Sequence, residues 1–294
     1  MTSVGVLAHT GKSLAGGLPA FRAVLAREGV DAPRWYEVSK SKQAPKKVKE
    51  AIADGTDLLF VWGGDGMLQR CIDALATTAT AIAIVPAGTA NLLARNLGIP
   101  SDIEGAVHIG LHGARRMLDV GLMNGERFVV MAGAGLDALM IRDMGDGLKE
   151  RAGKLGYIWT GARHLGEQLF TVQVRVDGRR WFSGKASCVL LGNVGTVLGG
   201  LSLFPHARPD DGKLEIGVVT AKGLLDWGRT LGRSIVGDPE GSPFVHVTSG
   251  RVFDIRLDKK RPYELDGGDR KPKKRFRVSV EPAAVPVCVA GDRT

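Results

Sequence analysis

Residues 57–66 read DLLFVWGGDG: an apolar run of strand character that ends in GGDG, with a helical pattern starting at Met67. Glycine carries no Cβ to hold a ligand away from the backbone, and the first amides of a helix have no intrahelical partner. Gly63, Gly64 and Gly66 therefore offer bare N–H groups to an anion. Phosphate chemistry is the first reading of this turn. Tight strand-to-helix packing, which glycine-rich turns also serve, is the alternative.

Outward from the turn, residues 1–121 alternate between two kinds of segment. Apolar runs at Val4–Ala8, Arg34–Val38, Leu58–Trp62, Ala81–Val85 and Met117–Val120 predict short strands. Apolar residues at three- and four-residue spacing predict helices over Pro19–Arg27, Pro45–Ala53, Met67–Ala76, Ala90–Leu97 and Ile103–Leu111. Repeated βα units with continuous apolar strands imply an α/β domain built on a parallel sheet covered on both faces. Ligands of such sheets sit beyond the carboxyl ends of the strands, where GGDG lies. A strand at 285–294 is the candidate completion of this domain. From 122 to 284 the predicted strands, Arg127–Ala132, Thr171–Val176, Trp181–Asn193, Leu214–Thr220 and Arg251–Leu257, are separated by turns, which predicts an antiparallel sheet or sandwich. One helical stretch, Lys149–Gln168, mixes basic and apolar residues and suits packing on its own domain or lying on a membrane surface.

The 294 residues suffice for two domains, and 40 Lys and Arg against 31 Asp and Glu leave a formal charge of +9. That excess attracts polyanions without choosing among nucleotide, nucleic acid and anionic bilayer. Basic residues gather at 40–49 (KSKQAPKKVK) and 270–277 (RKPKKRFR), each read as solvated helix face or loop. Cys71, Cys188 and Cys288 are odd in number and lack CxxC spacing, so no disulfide framework or zinc knuckle is suggested. No basic leader with a long apolar core and no apolar run of membrane-spanning length is present. A cytoplasmic protein that meets membranes only from the surface is the expectation.

A second glycine turn, PAGTANLLAR at 86–95, follows the next strand and again leads into a helix. Thr89 and Asn91 supply polar side chains there and Gly88 allows close backbone approach, so two neighbouring turns could bracket a nucleotide. Helix capping is the structural alternative for Thr89 and Asn91. The segment VGVLAHTGKS at 4–13 imitates a phosphate-binding Walker loop but has one residue too many between Gly5 and Gly11. It is read as a shorter turn in which Thr10, Gly11 and Lys12 contact phosphate. GAGLDA at 133–138 mimics a dinucleotide fingerprint but lacks its βαβ continuation and is read as tight packing. His108 and His112 stand four apart on a predicted helix, without a neighbouring third ligand, and read as an exposed face. No nucleophile elbow or Cys/His pair is evident.

GGDG after a strand, PAGTAN with the following AR one βα unit later, GAGLDA, and PDDGKLE at 209–215 together resemble the diacylglycerol kinase catalytic family. The chain is most similar to its soluble bacterial lipid kinases, which are distant relatives of sphingosine and NAD kinases. The likeness runs from Val4 to about Val289. It implies a Rossmann-like parallel-sheet domain followed by an antiparallel β-sandwich domain, with ATP and Mg2+ as cofactors. It places His9, Thr10, Gly11 and Lys12 in the first nucleotide turn, kept here only in part, and Gly63, Gly64, Asp65, Gly66, Met67, Leu68, Gln69 and Thr89 among the later nucleotide contacts. Asp211 matches a magnesium ligand whose partners are the backbone oxygens of Arg208 and Lys213. Asp119 matches an acid that, with Asp65, organises the metal and its water. An acid in a phosphate loop cannot itself be a phosphate contact, so Asp65 is expected to hold a metal-bound water or a neighbouring donor.

Two departures stand out. Met67 replaces a threonine, and in YELDGGD at 263–269 Gly268 stands where the family has its glutamate general base. In an extended strand Asp269 points away from position 268, so it could substitute only if Gly267 and Gly268 bulge the chain. Asp65 is the rival base, and loss of activity the third option. The resulting expectation is an ATP-dependent lipid kinase acting on diacylglycerol or a related lipid at an anionic membrane surface. A catalytically impaired nucleotide- or lipid-binding protein and an NAD kinase-like enzyme are the alternatives. Nucleic acid is not expected as a partner, and a homodimer stays open.

Overall fold

The computed structural model describes residues 2–135, 169–197, 201–222, 226, 230 and 241–291. The predicted helix at Lys149–Gln168 and positions 136–138 of the GAGLDA turn lie outside these residues. The chain divides into two compact units, Met1–Val120 with Pro282–Thr294, and Gly121–Glu281.

The first unit runs β1 (Val4–His9), α1 (Gly17–Arg27), β2 (Arg34–Val38), α2 (Ala44–Ala53), β3 (Leu58–Gly63), α3 (Asp65–Leu75), β4 (Ala81–Pro86), α4 (Leu92–Asn96), α5 (Ile103–His112) and the start of β5 (Ala114–Met123). Its strands lie in the order β4-β3-β1-β2, all parallel. Val287, near the C-terminus, pairs in parallel with Ile82 on the outer side of β4. Every residue of β3 and β4 is buried, as strands covered on both faces require. Phe21 of α1 stacks on Trp62 with centroids 5.4 Å apart and meets Phe60 edge-on at 5.9 Å. Each fully buried apolar side chain of this kind contributes about 1.5–3 kcal/mol relative to exposure. The chain adds β2 on one side of β1 and β3 on the other. Its direction across the sheet thus reverses at β1, which puts a topological switch point between β1 and β3.

The second unit continues β5 and adds β6 (Glu126–Phe128), β7 (Met131–Gly135), β8 (Phe170–Val176), β9 (Arg179–Ala186), β10 (Cys188–Gly192), β11 (Thr196–Val197), β12 (Leu201–Ser202), β13 (Leu214–Val219), β14 (Val245–Gly250), β15 (Val252–Leu265) and β16 (Gly268–Val289), the last entering the first unit at Pro282. Strands β14, β13, β10, β7 and β15 pair antiparallel in that order. β15 pairs with β8 over Phe253–Leu257 and with β7 over Tyr263–Leu265, and its register against β16 shifts between Arg256 and Tyr263. A strand that serves two sets of partners through such an irregularity produces a sandwich-like domain around one core. That core gathers Phe128, Phe170, Phe253, Tyr263 and Phe276 with aliphatic residues of β7, β8, β10 and β13.

Three predicted elements are corrected. Arg127–Ala132 divides into β6 and β7 because the amides of Val129 and Val130 leave the ladder to bond Asp266. Trp181–Asn193 divides at Ser187, whose N–H and Oγ both donate to the Val219 carbonyl, at 2.8 and 3.0 Å. The basic run at 270–277 is strand, part of β16. Its residues Lys271 to Arg275 are all exposed, so the one-face-buried alternation that advertises a strand is missing.

Candidate active site

The turns after β1, β3 and β4 leave the same carboxyl edge of the first unit's sheet, with β3 flanked by the other two. The indole N–H of Trp62 donates to the Lys12 carbonyl at 3.1 Å, tying the first turn to the second across the switch point.

The GGDG and PAGTAN turns meet backbone to backbone. A Cβ on Gly88 would lie 2.4 Å from the Gly64 Cα, and one on Gly64 3.1 Å from the Gly88 Cα. Gly64 has an ordinary extended conformation, so close approach, not a special φ, demands glycine there. Gly63 is covered by Met67, whose sulfur would sit 2.8 Å from an added Cβ. Met67, Leu68 and Gln69 are buried, so their side chains belong to the unit's interior. The amides of Met67 and Leu68 both reach the Gly64 carbonyl at 3.0 Å. Gly66 is different: it is exposed in the first turn of α3, and a Cβ there would meet nothing within 4 Å. Of the four residues it leaves the backbone open to a ligand at a helix N-terminus.

Asp65 points across to the neighbouring turn. Its Oδ1 accepts the Leu93 N–H at 3.2 Å, at the start of α4. Part of the residue remains in contact with solvent, yet its carboxyl is largely surrounded, and desolvation raises its pKa above the ordinary value, against the lowering effect of amides at Leu92, Leu93, Asp65 and Asn91. Thus the group that meets the start of α4 is the protein's own carboxyl. Asn91, in the left-handed region at φ 48°, staples its turn: Oδ1 accepts the Gly88 N–H at 3.0 Å, and Nδ2 donates to the carbonyls of Pro86 and Gly88 at 2.9 and 2.8 Å. Thr89 stands exposed at the mouth.

In the first turn the amides are already used. Thr10 donates to the Val38 carbonyl at 2.9 Å, Gly11 to His9 Nδ1 at 3.1 Å, and Lys12 to the His9 carbonyl at 3.0 Å. What this turn presents outward is the exposed side chains of Thr10 and Lys12. Asp119 is buried, and its Oδ1 accepts the amide of Ala283, a non-glycine residue at φ 48°, at 2.8 Å. It holds this left-handed residue of β16 close to where the strand enters the unit.

In the second unit, Asp211 is exposed on a turn between Arg208 and Lys213, and its Oδ1 accepts the Lys213 N–H at 2.9 Å. Asp269 lies at the tip of the β15–β16 hairpin. Leu265 pairs with Gly268, Glu264 with Asp269 and Tyr263 with Arg270, leaving Asp266 (φ 47°) and Gly267 (φ 77°) as a two-residue turn with both residues left-handed. The bulge on which a substitution by Asp269 depends is therefore absent; one glycine turns the hairpin and the other begins β16. Asp269 is exposed directly across from buried Glu264, on the same face by cross-strand pairing. Asp266 accepts three amides, from Val129 at 2.8 Å, Val130 at 2.8 Å and Met131 at 3.0 Å, while Glu264 accepts the Gly267 N–H at 2.6 Å. Sequence reasoning missed these two acids as organisers of the tip. The Asp-Gly pair at two-residue hairpin spacing was the signal that could have found the turn.

Residues 9–123 match the family described as Diacylglycerol kinase catalytic domain, and residues 130–289 the YegS C-terminal NAD kinase beta sandwich-like domain. The chain belongs to the diacylglycerol kinase and YegS-like lipid kinase family. A Pseudomonas syringae pv. tomato protein named "Probable lipid kinase YegS-like" is 31% identical over 226 residues, covering 73% of each chain. A crystal structure of a diacylglycerol kinase from Bacillus anthracis superposes with a TM-score of 0.80 at 23% identity, covering 98% of this chain and 96% of that one. An NAD kinase from Archaeoglobus fulgidus, solved in complex with ATP, gives a TM-score of 0.51 at 11% identity over 97% and 92% of the two chains. As a kinase of this family the chain keeps both domain types in order, and its Gly268 stands on a regular hairpin strand where the resemblance expected a carboxylate.

Proposed function

We propose that this kinase transfers the γ-phosphate of ATP to a hydroxyl of diacylglycerol or a related membrane lipid, with Mg2+. The observation that carries the reading is the group of three turns at the carboxyl ends of β1, β3 and β4, astride the switch point, with the Gly66 backbone open. In this reading Gly66 and the N-terminus of α3 receive phosphate oxygens, Lys12 supplies positive charge, and Thr89 a hydroxyl at the mouth. Phosphoryl transfer asks chiefly for positioning and charge, which such turns provide. Gly64, Gly88 and Asn91 set the distance between the turns.

The lipid hydroxyl must lose its proton as its oxygen bonds phosphorus and the bond to the ADP oxygen breaks. Asp65 is assigned that proton, because it stands beside the open Gly66 backbone at the start of α3, and desolvation raises its affinity for a proton. Asp269, exposed at the hairpin tip, is the second candidate, and Asp119 a positioning residue. Magnesium, when bound, shields phosphate charge. Its proposed ligands are Asp211 and the carbonyls of Arg208 and Lys213, a hard-oxygen set that suits the ion, and the second Asp211 oxygen makes no hydrogen bond among the described residues.

The membrane part of the reading is supported by the β15–β16 hairpin, where Lys259, Lys260, Lys271, Lys273, Lys274 and Arg275 are all exposed. Basic side chains near an anionic leaflet contribute about 1 kcal/mol each, so the double change Lys273→Gln with Lys274→Gln should weaken binding to anionic vesicles about 30-fold. No helix among the described residues is long and apolar enough to cross a membrane.

The test is to supply purified protein with Mg-ATP labelled in the γ-phosphate and mixed micelles carrying diacylglycerol, monoacylglycerol or a sphingoid base, with NAD as a separate acceptor. Label in a lipid is expected. Label in NAD alone, or ATP binding by calorimetry with no transfer to any acceptor, overturns the reading. The second of those results would favour the impaired binding protein that Gly268 suggests.

A further inference from the structure

Two histidines spaced four apart on α5 need a third ligand to make a metal site, and the fold brings one from 80 residues upstream in the chain. Glu28 closes the C-terminal end of α1 beside the last turn of α5. Its Oε2 lies 3.0 Å from His112 Nε2, and the rings of His108 and His112 are 5.0 Å apart. One ligating atom from each of Glu28, His108 and His112 can be chosen so that all three lie within 4.8 Å of one another. We propose that these three side chains bind a zinc-class divalent cation on the first unit, clasping the C-terminal ends of α1 and α5.

The geometry is close to what such an ion needs. Bonds of about 2.0–2.1 Å in a tetrahedral shell put neighbouring ligand atoms about 3.3 Å apart. The His112–Glu28 pair is already there. All three residues are exposed, so the remaining closure is a matter of surface rotamers and leaves the core untouched. An exposed Arg27–Glu104 ion pair at 3.3 Å joins the same two helices. Two imidazoles and one carboxylate select Zn2+, Ni2+ or Cu2+ over Mg2+ and Ca2+, which take oxygen donors. The fourth position would face solvent and hold water. The clasp is distinct from the glycine turns and does not depend on the lipid kinase reading.

A bare ion pair between His112 and Glu28 would explain their contact without a metal, and His108 separates the two ideas because it takes no part in that contact. Chelator-treated, nucleotide-free full-length protein would be titrated with ZnCl2 by calorimetry in the presence of millimolar Mg2+. One equivalent of zinc is expected to bind, with affinity at least tenfold weaker in His108→Ala and in Glu28→Gln. Co2+ should give the wild type a visible absorption that His108→Ala lacks. An isotherm unchanged by His108→Ala, or no heat of zinc binding in the wild type, overturns the proposal. His108→Gln, which keeps a polar side chain at this exposed position, is titrated alongside with the same loss expected, and circular dichroism of all three variants checks that the loss is not one of fold.

Discussion

Two short stretches of the chain are made only of glycine and aspartate, Gly63-Gly64-Asp65-Gly66 and Asp266-Gly267-Gly268-Asp269, and the fold uses them differently. In both, one aspartate clamps amides from another segment: Asp65 at the start of α4, Asp266 at residues 129–131. In the first, a strand gives way to a helix, and Gly66 leaves space beside the helix's opening turn. In the second, a strand turns back on itself and the hairpin ladder resumes at once, so only the Asp269 side chain is offered outward. A glycine-and-acid motif thus acquires its chemistry from the elements it joins.

The largest expected effect asks which of the two stretches holds the base. Asp65→Ala should lower kcat/KM for lipid phosphorylation by about 10²–10³, measured with saturating micelles. Asp269→Asn should leave it within about threefold, since a positioned general base is worth 10² or more. If Asp269→Asn carries the large loss and Asp65→Ala does not, the comparison breaks and the chemistry moves to the hairpin.

Stability sharpens the contrast inside the hairpin. Asp266→Ala leaves the amides of three buried residues, Val129, Val130 and Met131, without their acceptor, and should cost about 3 kcal/mol in urea unfolding. Asp269→Asn, exposed two residues beyond the turn, should change stability by no more than about 0.5 kcal/mol. Equal effects would mean that the tip is organised by something other than the Asp266 carboxylate.

The parallel half of the fold was legible because fully buried strands and amphipathic helices leave continuous runs and three-to-four spacing; β3 and β4, at Leu58–Gly63 and Ala81–Pro86, each run one residue past their predicted ends. The switch point and the facing of Gly64 and Gly88 follow from strand order, which no local pattern encodes. The end of β16 falls within the strand expected at 285–294, whereas its basic segment was hidden because it buries neither face. The bonding of Asn91 and Asp65 was illegible for another reason. Both residue types suit capping and ligand contact equally, and only the distance to Gly88 or Leu93 decides. Glu28 was missed as a neighbour of His108 and His112 because tertiary packing, not sequence proximity, brings it there.

The glycines in and facing the first stretch differ among themselves, and alanine separates them. Gly88→Ala drives a Cβ to 2.4 Å from the Gly64 Cα and 2.6 Å from Asn91 Oδ1, neither of which is a loose side-chain end, and should cost about 1–3 kcal/mol. Gly66→Ala has room and removes a helical glycine, so it should gain about 0.5–1 kcal/mol. If nucleotide approaches Gly66, that gain comes with a raised KM for ATP. Stabilisation with an unchanged KM would sever this glycine from the proposed site.

The smallest effect is a pH dependence, and its sign follows from the surroundings of Asp65. Desolvation raises its carboxyl above the ordinary 3.8, so over the interval between the two values the folded chain holds a proton that the unfolded chain has released. The neutral form is favoured on folding. Its contribution is fully present below the ordinary value and is lost as pH rises through the raised one. Asp65→Asn removes the titration but keeps a carbonyl oxygen able to accept the Leu93 N–H. The variant's Tm relative to wild type should therefore be higher at pH 7 than at pH 4, rising across the interval and flat above it. A difference that stays constant, or runs the other way, would show that the amides at the α4 N-terminus outweigh desolvation, making Asp65 a comfortable anion there and a poor base.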